Sequence, residues 1–186
     1  MVAALLIVGI ADGLANQASI GAVPGPGHLI SARAIGPIVV GMTLEEARRN
    51  LPSATFQRVA DGDGAALVEV MIRPGESLTV WAGEDDPDLP IDWAKPIRTV
   101  EAFDPAFSTA EGIRVGLPVV LAERIWGPVR EIVKSEIESR EFVTFARQPA
   151  AFALRIDYSG LFAAGARQTT RYRPDAKIMS ISISSE

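Results

Sequence analysis

The sequence predicts an α+β fold made of two tandem units, each a short helix followed by an antiparallel meander. Two segments match at an offset of 75 residues, and each runs from an apolar stretch through a glycine into a short helical pattern. Strand-length runs joined by tight turns follow each helical pattern, as in antiparallel sheets. The identical pairs are Ile38/Ile113, Val40/Val115, Gly41/Gly116, Ala47/Ala122 and Arg49/Arg124.

The first unit is predicted to span residues 36–104. A short strand at Ile38–Val40 leads to a helix whose start is marked by Thr43 and Glu46, the spacing of a capping box. Pro52 ends this helix after Leu51. The strands expected after it are Ala54–Ala60, Ala65–Arg73, Leu78–Ala82 and Ile97–Phe103.

The second unit is predicted to span residues 105–186 and repeats this plan. A strand at Gly112–Val115 precedes a helix over Pro118–Trp126, in which proline suits the first turn. Phe103, Phe107 and Trp126 are expected in the core. The expected strands are Val129–Ile137, Phe142–Ala146, Phe152–Tyr158 and Lys177–Ser184. The last is predicted to place Met179, Ile181 and Ile183 on one face and Ser180, Ser182 and Ser184 on the other.

The N-terminal residues carry the one targeting signal. Residues 1–18 are interpreted as a signal peptide, because an apolar run over Val2–Ala11 precedes small residues. Two observations favour the alternative, an apolar segment packed in the core. A signal peptide begins with basic residues, but none precedes Arg33, and the acidic Asp12 directly follows the apolar run. Residues 19–35, rich in proline and glycine, are interpreted as a linker. The predicted location is periplasmic or secreted, and no stable transmembrane span is expected.

Composition excludes several classes of function. The 186 residues carry a net charge of −5, which disfavours nonspecific nucleic-acid binding. The chain has no cysteine, so disulfides, thiolate metal sites and cysteine nucleophiles are excluded. The single histidine, His28, is interpreted as a solvated linker residue. We therefore predict no catalytic residues, no metal site and no cofactor.

Short motifs carry a resemblance to known proteins. The segments 41–47 (GMTLEEA) and 112–116 (GIRVG) lie in a plan that resembles the tandem helix-plus-sheet repeats of bacterial envelope proteins. The β-lactamase inhibitor protein and the small lipoprotein of the outer-membrane assembly machinery are built in this way. Segment 107–116 is similar to one found in uncharacterised exported bacterial proteins. The resemblance implies a non-enzymatic protein acting through protein contacts, although the disulfides and the lipidated cysteine of those proteins are absent here.

Two tryptophans flank the most acidic stretch, and this is the predicted partner-binding surface. Aromatic side chains supply much of the energy at protein interfaces, which favours a binding or accessory protein of the bacterial envelope with a protein partner. One alternative is a hydrolase that acts on a glycan through two of the carboxylates of Asp85, Asp86, Asp88 and Asp92 in a cleft. Another is a small-ligand carrier with an enclosed cavity. The predicted surface comprises Trp81, Glu84, Asp85, Asp86, Asp88, Asp92 and Trp93.

Overall fold

A computed structural model of the chain describes residues 25–136 and 140–185. Neither α-helix in this part has the length and hydropathy needed to cross a bilayer. The helices are α1 (Leu44–Asn50) and α2 (Val119–Trp126). The strands are β1 (Leu29–Ile30), β2 (Ala34–Ile35), β3 (Ile38–Val39), β4 (Thr55–Ala60), β5 (Ala66–Arg73), β6 (Glu76–Trp81), β7 (Thr99–Ala102), β8 (Ser108–Thr109), β9 (Val129–Lys134), β10 (Glu141–Phe145), β11 (Phe152–Ile156), β12 (Gln168–Thr169) and β13 (Ile178–Ser184).

The main sheet has nine strands in the order β12-β9-β10-β11-β13-β7-β6-β5-β4, and every neighbouring pair is antiparallel. Strands β4 to β7 lie side by side in chain order, and so do β9, β10, β11 and β13. The two series meet where β7 pairs with β13, with Val100 opposite Ile183. The predicted α+β class is confirmed, and one continuous sheet spans both halves of the chain.

One face of this sheet forms the core. Inward side chains of the central strands, such as Val80, Val100 and Ile181, are at most 1% exposed. Helix α2 packs on this face through Trp126, whose ring stacks on Phe152. The other face, here called the open face, carries side chains that alternate with the core positions. One row of open-face residues runs across six strands: Gln57, Glu69, Thr79, Glu101, Ser182 and Ala153.

The backbone at the start of the two helices makes the same contacts 75 residues apart. Gly41 and Gly116 both have positive φ angles, +94° and +78°, a conformation that glycine adopts without strain. The Gly41 N–H donates to the Ile97 carbonyl, and the Gly116 N–H donates to the Ile178 carbonyl, each at 2.8 Å. The residues at the start of each helix are therefore hydrogen-bonded to backbone that lies in or just before a strand much later in the chain. The equivalent N–H groups of Leu44 and Val119 donate to the carbonyls of Lys95 and Ala176.

The predicted capping box is confirmed, whereas one predicted strand is wrong. The Thr43 side chain accepts from the Glu46 N–H at 3.1 Å, and the Glu46 carboxylate accepts from the Thr43 N–H at 2.8 Å. The segment predicted as a strand at Gly112–Val115 is irregular, with one isolated β-bridge from Arg114 to Ser108, and the strand of this region is β8 at Ser108–Thr109. Gly112 has a φ of +91°, which breaks an extended run.

Two of the three aromatic residues expected in the core are buried there. Phe107 and Trp126 are 0% and 3% exposed, but Phe103 is 43% exposed, so its assignment to the core is wrong. Phe103 follows Ala102, which is buried on the core face of β7. Strand alternation therefore places Phe103 on the side of the open face.

Strand β13 departs from strict alternation at its start. Arg155 pairs with Ser180 and Ile156 with Ile178, so Met179 is an extra residue on this strand. This β-bulge turns Met179 outward, to 40% exposure, and leaves Ser180 buried at 1%. The predicted face of Met179 is therefore wrong, while Ser180, opposite Arg155, keeps the predicted face although it is buried. Ile181 and Ile183 are buried as expected.

Residues 29–35, interpreted from the sequence as part of a linker, form β1 and β2 of a small four-stranded sheet. Its order is β3-β2-β1-β8, and β1 pairs in parallel with β8. Ile30 and Ile35 are buried in the core. The division of the chain at residues 104 and 105 stays a prediction, and residues 1–18 lie outside the described part.

A half-buried tyrosine ties the segment before β13 to α2. The Tyr172 hydroxyl donates to Glu123 at 2.6 Å, and the other oxygen of Glu123 accepts from the Val129 N–H at 2.8 Å. Partial burial, and next the Glu123 carboxylate, raise the pKa of Tyr172 to about 12. Because this pKa is raised, the phenol contributes its full stabilisation below its ordinary value of 10.0 and loses it as the pH rises through about 12.

We expect Tyr172→Phe to lower the free energy of unfolding by about 1 kcal/mol at neutral pH, through loss of this hydrogen bond. Urea unfolding measures the change. Ultraviolet titration of the phenols provides a second readout, because the late ionisation near pH 12 should be absent from the variant. A late ionisation that persists in Tyr172→Phe would contradict the assignment. Tyr158→Phe, at an exposed position, is the control and should retain it.

Candidate functional site

Trp81, the first residue of the predicted surface, lies on the open face. It is the last residue of β6 and pairs with Thr99 of β7. Its neighbour Val80 is 1% exposed on the core face, so alternation turns the half-buried Trp81 ring outward. The guanidinium carbon of Arg98 is 5.9 Å from the centre of the Trp81 ring.

Trp93 lies on the core side of the sheet. Its ring meets Phe56 edge-on, with ring centres 5.7 Å apart, and Phe56 pairs with the buried Val70. The guanidinium carbon of Arg48, on α1, is 4.3 Å from the centre of the Trp93 ring. Trp93 thus fastens α1 to the edge of the sheet, and the structure does not bring the two tryptophans to one surface.

Glu84 is the one carboxylate of the acidic stretch that is held inside the protein. Its side chain is 11% exposed and forms an ion pair with Arg58 of β4, whose side chain is 12% exposed. Glu84 also accepts from the Asp92 N–H at 2.9 Å. The Arg58 guanidinium holds the pKa of Glu84 below its ordinary value of 4.5, against the opposing effect of burial. Arg58 further donates to the carbonyls of Leu89 and Pro90, so it fixes the whole loop.

The remaining acidic residues face solvent. Asp86 accepts from the Asp88 N–H at 2.9 Å and Asp92 from the Ala94 N–H at 3.1 Å, so both carboxylates shape turns. Within residues 25–136 and 140–185, no three histidine or acidic side chains are arranged as a metal site. The loop therefore offers solvated carboxylates and one that is ion-paired. The exposed members are Asp85, Asp86, Asp88 and Asp92.

The open face holds an ion pair that the sequence pattern does not reveal. Arg155 of β11 and Glu101 of β7 approach to 3.8 Å across β13, and their side chains are 12% and 21% exposed. The Nε of Arg155 is buried and has no hydrogen-bond partner among the described residues. The two residues are 54 positions apart in sequence, so only the strand order brings them together. Phe103 and Met71, 43% and 42% exposed, add apolar area to the open face.

A cavity of about 770 Å³ lies at the end of the sheet where the two halves meet. Its walls come from the β1–β2 turn with Arg33, from Val40 and Gly41, from residues 150–153, and from the end of β13. None of the predicted surface residues lines it. These four segments carry no shared motif, so no sequence signal could have found the cavity.

His28 is not the solvated linker residue expected from the sequence. Its Nε2 is 3.1 Å from the carboxylate of Glu76, a residue 8% exposed, and 3.0 Å from the Arg73 guanidinium. Arg73 itself pairs with Glu76 at 2.8 Å. The His28 ring also lies 5.6 Å from the buried Phe107 ring. This cluster fastens the segment before β1 to the hairpin of β5 and β6.

One solved structure supports the fold. The crystal structure of the uncharacterized protein yfeY from Escherichia coli is similar to this chain, with a TM-score of 0.54 and 11% sequence identity. The match covers 84% of this chain and 99% of that chain. No protein-family model and no curated protein matches the sequence. At this identity the likeness shows a shared fold only, and the resemblance to the β-lactamase inhibitor protein and the assembly lipoprotein stays a prediction.

Proposed function

We propose that the chain is a non-enzymatic binding protein of the bacterial cell envelope that acts through protein contacts. The contact surface would be Trp81 on the open face together with the exposed carboxylates of the loop that follows it. The observation that carries this proposal is an aromatic side chain left half-exposed on a broad sheet face. The loop carboxylates meant here are Asp85, Asp86 and Asp88.

The composition of the open face supports a binding role. One solvated face is ordinary for an antiparallel sheet, and such a face is usually polar. Here Trp81, Phe103 and Met71 remain accessible beside a polar row. Partly exposed aromatic side chains next to charged groups are typical of interfaces in which a few residues dominate the binding energy.

The chemistry of the acidic loop favours binding over hydrolysis. Acid–base catalysis of glycoside hydrolysis needs one carboxylic acid that stays protonated near neutral pH. The pKa of Glu84 is lowered, so this group stays ionised. The exposed aspartates lie on a solvated loop that does not line the 770 Å³ cavity.

We also infer that the two halves are copies of one helix-plus-meander unit. Support comes from the equivalent backbone hydrogen bonds of Gly41 and Gly116, and of Leu44 and Val119, at an offset of 75 residues. The antiparallel pairing of β7 with β13 places the last strands of the two series side by side. Envelope location rests on the apolar N-terminal run of the sequence.

The test is in-cell crosslinking of the tagged chain in its native host, with mass spectrometry to identify what is recovered. We expect the wild type to recover one envelope protein, and Trp81→Ala to reduce that recovery at least about tenfold. Asn substitution of Asp85, Asp86 and Asp88 together should also reduce it. Leu161→Ala, at another exposed apolar position, is the matched control and should leave recovery unchanged. Equal recovery by all four proteins would overturn the proposed surface.

Trp93 and Glu84 are unsuitable for this test, although the sequence prediction includes both. Each has a packing or ion-pairing role within the chain, so a substitution there changes folding as well as any contact. Recovery should therefore be measured on variants whose far-ultraviolet circular dichroism matches that of the wild type and which remain fully folded at the temperature of the experiment. Fractionation of the same cells tests the envelope location, and a purely cytoplasmic pool would contradict it.

A further inference from the structure

We infer that the 770 Å³ cavity at the end of the sheet binds a small organic monoanion, a carboxylate with a short apolar chain. Its volume lies within the roughly 300–1,000 Å³ typical of pockets that hold small organic ligands. This inference does not depend on the proposed protein contacts, because the cavity shares no residue with the Trp81 surface.

The charge of the residues that line the cavity favours an anionic ligand. Arg33 is the one charged residue among those that line the cavity, and it makes no ion pair within residues 25–136 and 140–185. The chain carries 23 acidic against 18 basic residues, yet none of the described residues that line this cavity is acidic. A guanidinium can hold one carboxylate through two parallel hydrogen bonds and balance its single charge. A phosphate dianion would leave half of its charge unbalanced.

Polar groups near Arg33 can complete the recognition of a carboxylate. The Ser182 hydroxyl has no hydrogen-bond partner in the described part of the chain, and the Ser184 hydroxyl lies 3.0 Å from that of Thr99. The backbone N–H groups of Ala150 and Ala151, which also line the cavity, are likewise not used in hydrogen bonds there. These hydroxyl and N–H groups can therefore donate hydrogen bonds to a bound carboxylate.

Most of the remaining lining residues are apolar, and most of these are small. Ala32, Val40, Phe152 and Ala153 are apolar residues of the wall, which favours an alkyl chain over water. Small side chains also leave the room that an alkyl chain needs. A ligand with an anionic end at Arg33 and an alkyl body along these alanines matches both parts of the cavity.

Isothermal titration of the full chain with octanoate tests the inference. We expect saturable binding of one octanoate per chain and at least tenfold weaker binding by Arg33→Gln. Octanamide, the neutral analogue, should bind more weakly than octanoate and equally to both proteins. Arg130→Gln, at an exposed arginine on β9 that does not line the cavity, is the matched control and should bind octanoate as the wild type does.

A filling variant and amide chemical shifts locate the ligand. Ala153→Trp places a large side chain at an exposed position of the cavity wall and should abolish octanoate binding while the fold is retained. In the wild type, octanoate should shift the amide resonances of Ala150, Ala151 and Ser185. The inference is overturned if octanoate does not bind saturably, if Arg33→Gln binds it as tightly as the wild type, or if the shifted amides lie elsewhere.

Discussion

Trp126→Ala is expected to destabilise the protein more than any other aromatic substitution, by about 3–5 kcal/mol. Trp126 ends α2 and is 3% exposed. Its ring stacks on Phe152 at 5.6 Å with the planes 10° apart, and it meets Phe145 edge-on at 6.4 Å. These two rings belong to β11 and β10, so a single side chain joins the helix to two strands of the sheet. Truncation would leave a cavity that the strands cannot close.

Thermal unfolding should therefore occur about 10 °C lower in Trp126→Ala, since about 1 kcal/mol corresponds to roughly 2–4 °C in a chain of this size. Trp81→Ala is the matched control because it removes the same side-chain atoms at a half-buried position on the open face. We expect it to cost about 1 kcal/mol. Similar losses at the two positions, measured by urea unfolding, would mean that α2 does not depend on Trp126 for its packing.

The second large effect is expected at Arg58, which holds the acidic loop. Arg58→Ala removes the counter-charge of Glu84, whose side chain is 11% exposed, and the donors to the Leu89 and Pro90 carbonyls. Removing one partner of a largely buried pair leaves an uncompensated charge, so we expect a loss of about 3 kcal/mol. The loop between residues 85 and 92 should also become sensitive to proteases. Limited proteolysis and urea unfolding report these two changes separately.

The pH dependence of this pair has a definite sign. The pKa of Glu84 is lowered in the folded protein, chiefly by Arg58. Its contribution to stability is therefore present above its ordinary value of 4.5 and lost as the pH falls through the lowered value. Glu84→Gln should thus be less stable than the wild type at pH 7, and the difference should shrink in acid. A difference that does not change with pH would exclude an ionic contribution from this pair.

Arg173→Ala is the control for the ion-pair argument. Arg173 pairs with Asp175 at 3.4 Å, but the two side chains are 50% and 76% exposed. Exposed pairs of this kind contribute roughly 0–1 kcal/mol because water screens them and the side chains lose conformational freedom. We expect no loss of stability beyond this range in the variant and no change in proteolysis of the acidic loop.

The local elements can be predicted from the sequence, because their signals lie within a few neighbouring residues. The capping box of Thr43 and Glu46, the helix that ends at Trp126 and the alternation of Val68 and Val70 in β5 all follow from such patterns. The strands of the main sheet accordingly lie close to their predicted bounds, except for β12, which is not predicted, and for the predicted strand end at Ile137, which lies outside the described residues. The α+β class followed from the tight turns between them.

Which of these elements contact one another depends on long-range packing and does not follow from the local patterns. Trp81 and Trp93 are 12 residues apart, yet one lies on the open face and the other against α1, because the loop held by Arg58 carries the chain around the edge of the sheet. Likewise, the pairing of β7 with β13 joins residues 79 to 85 positions apart and makes the open face continuous across the two halves of the chain. The cavity beside Arg33 combines four segments that are separate in sequence. Such pairings depend on burial summed over the whole core, which no local pattern records.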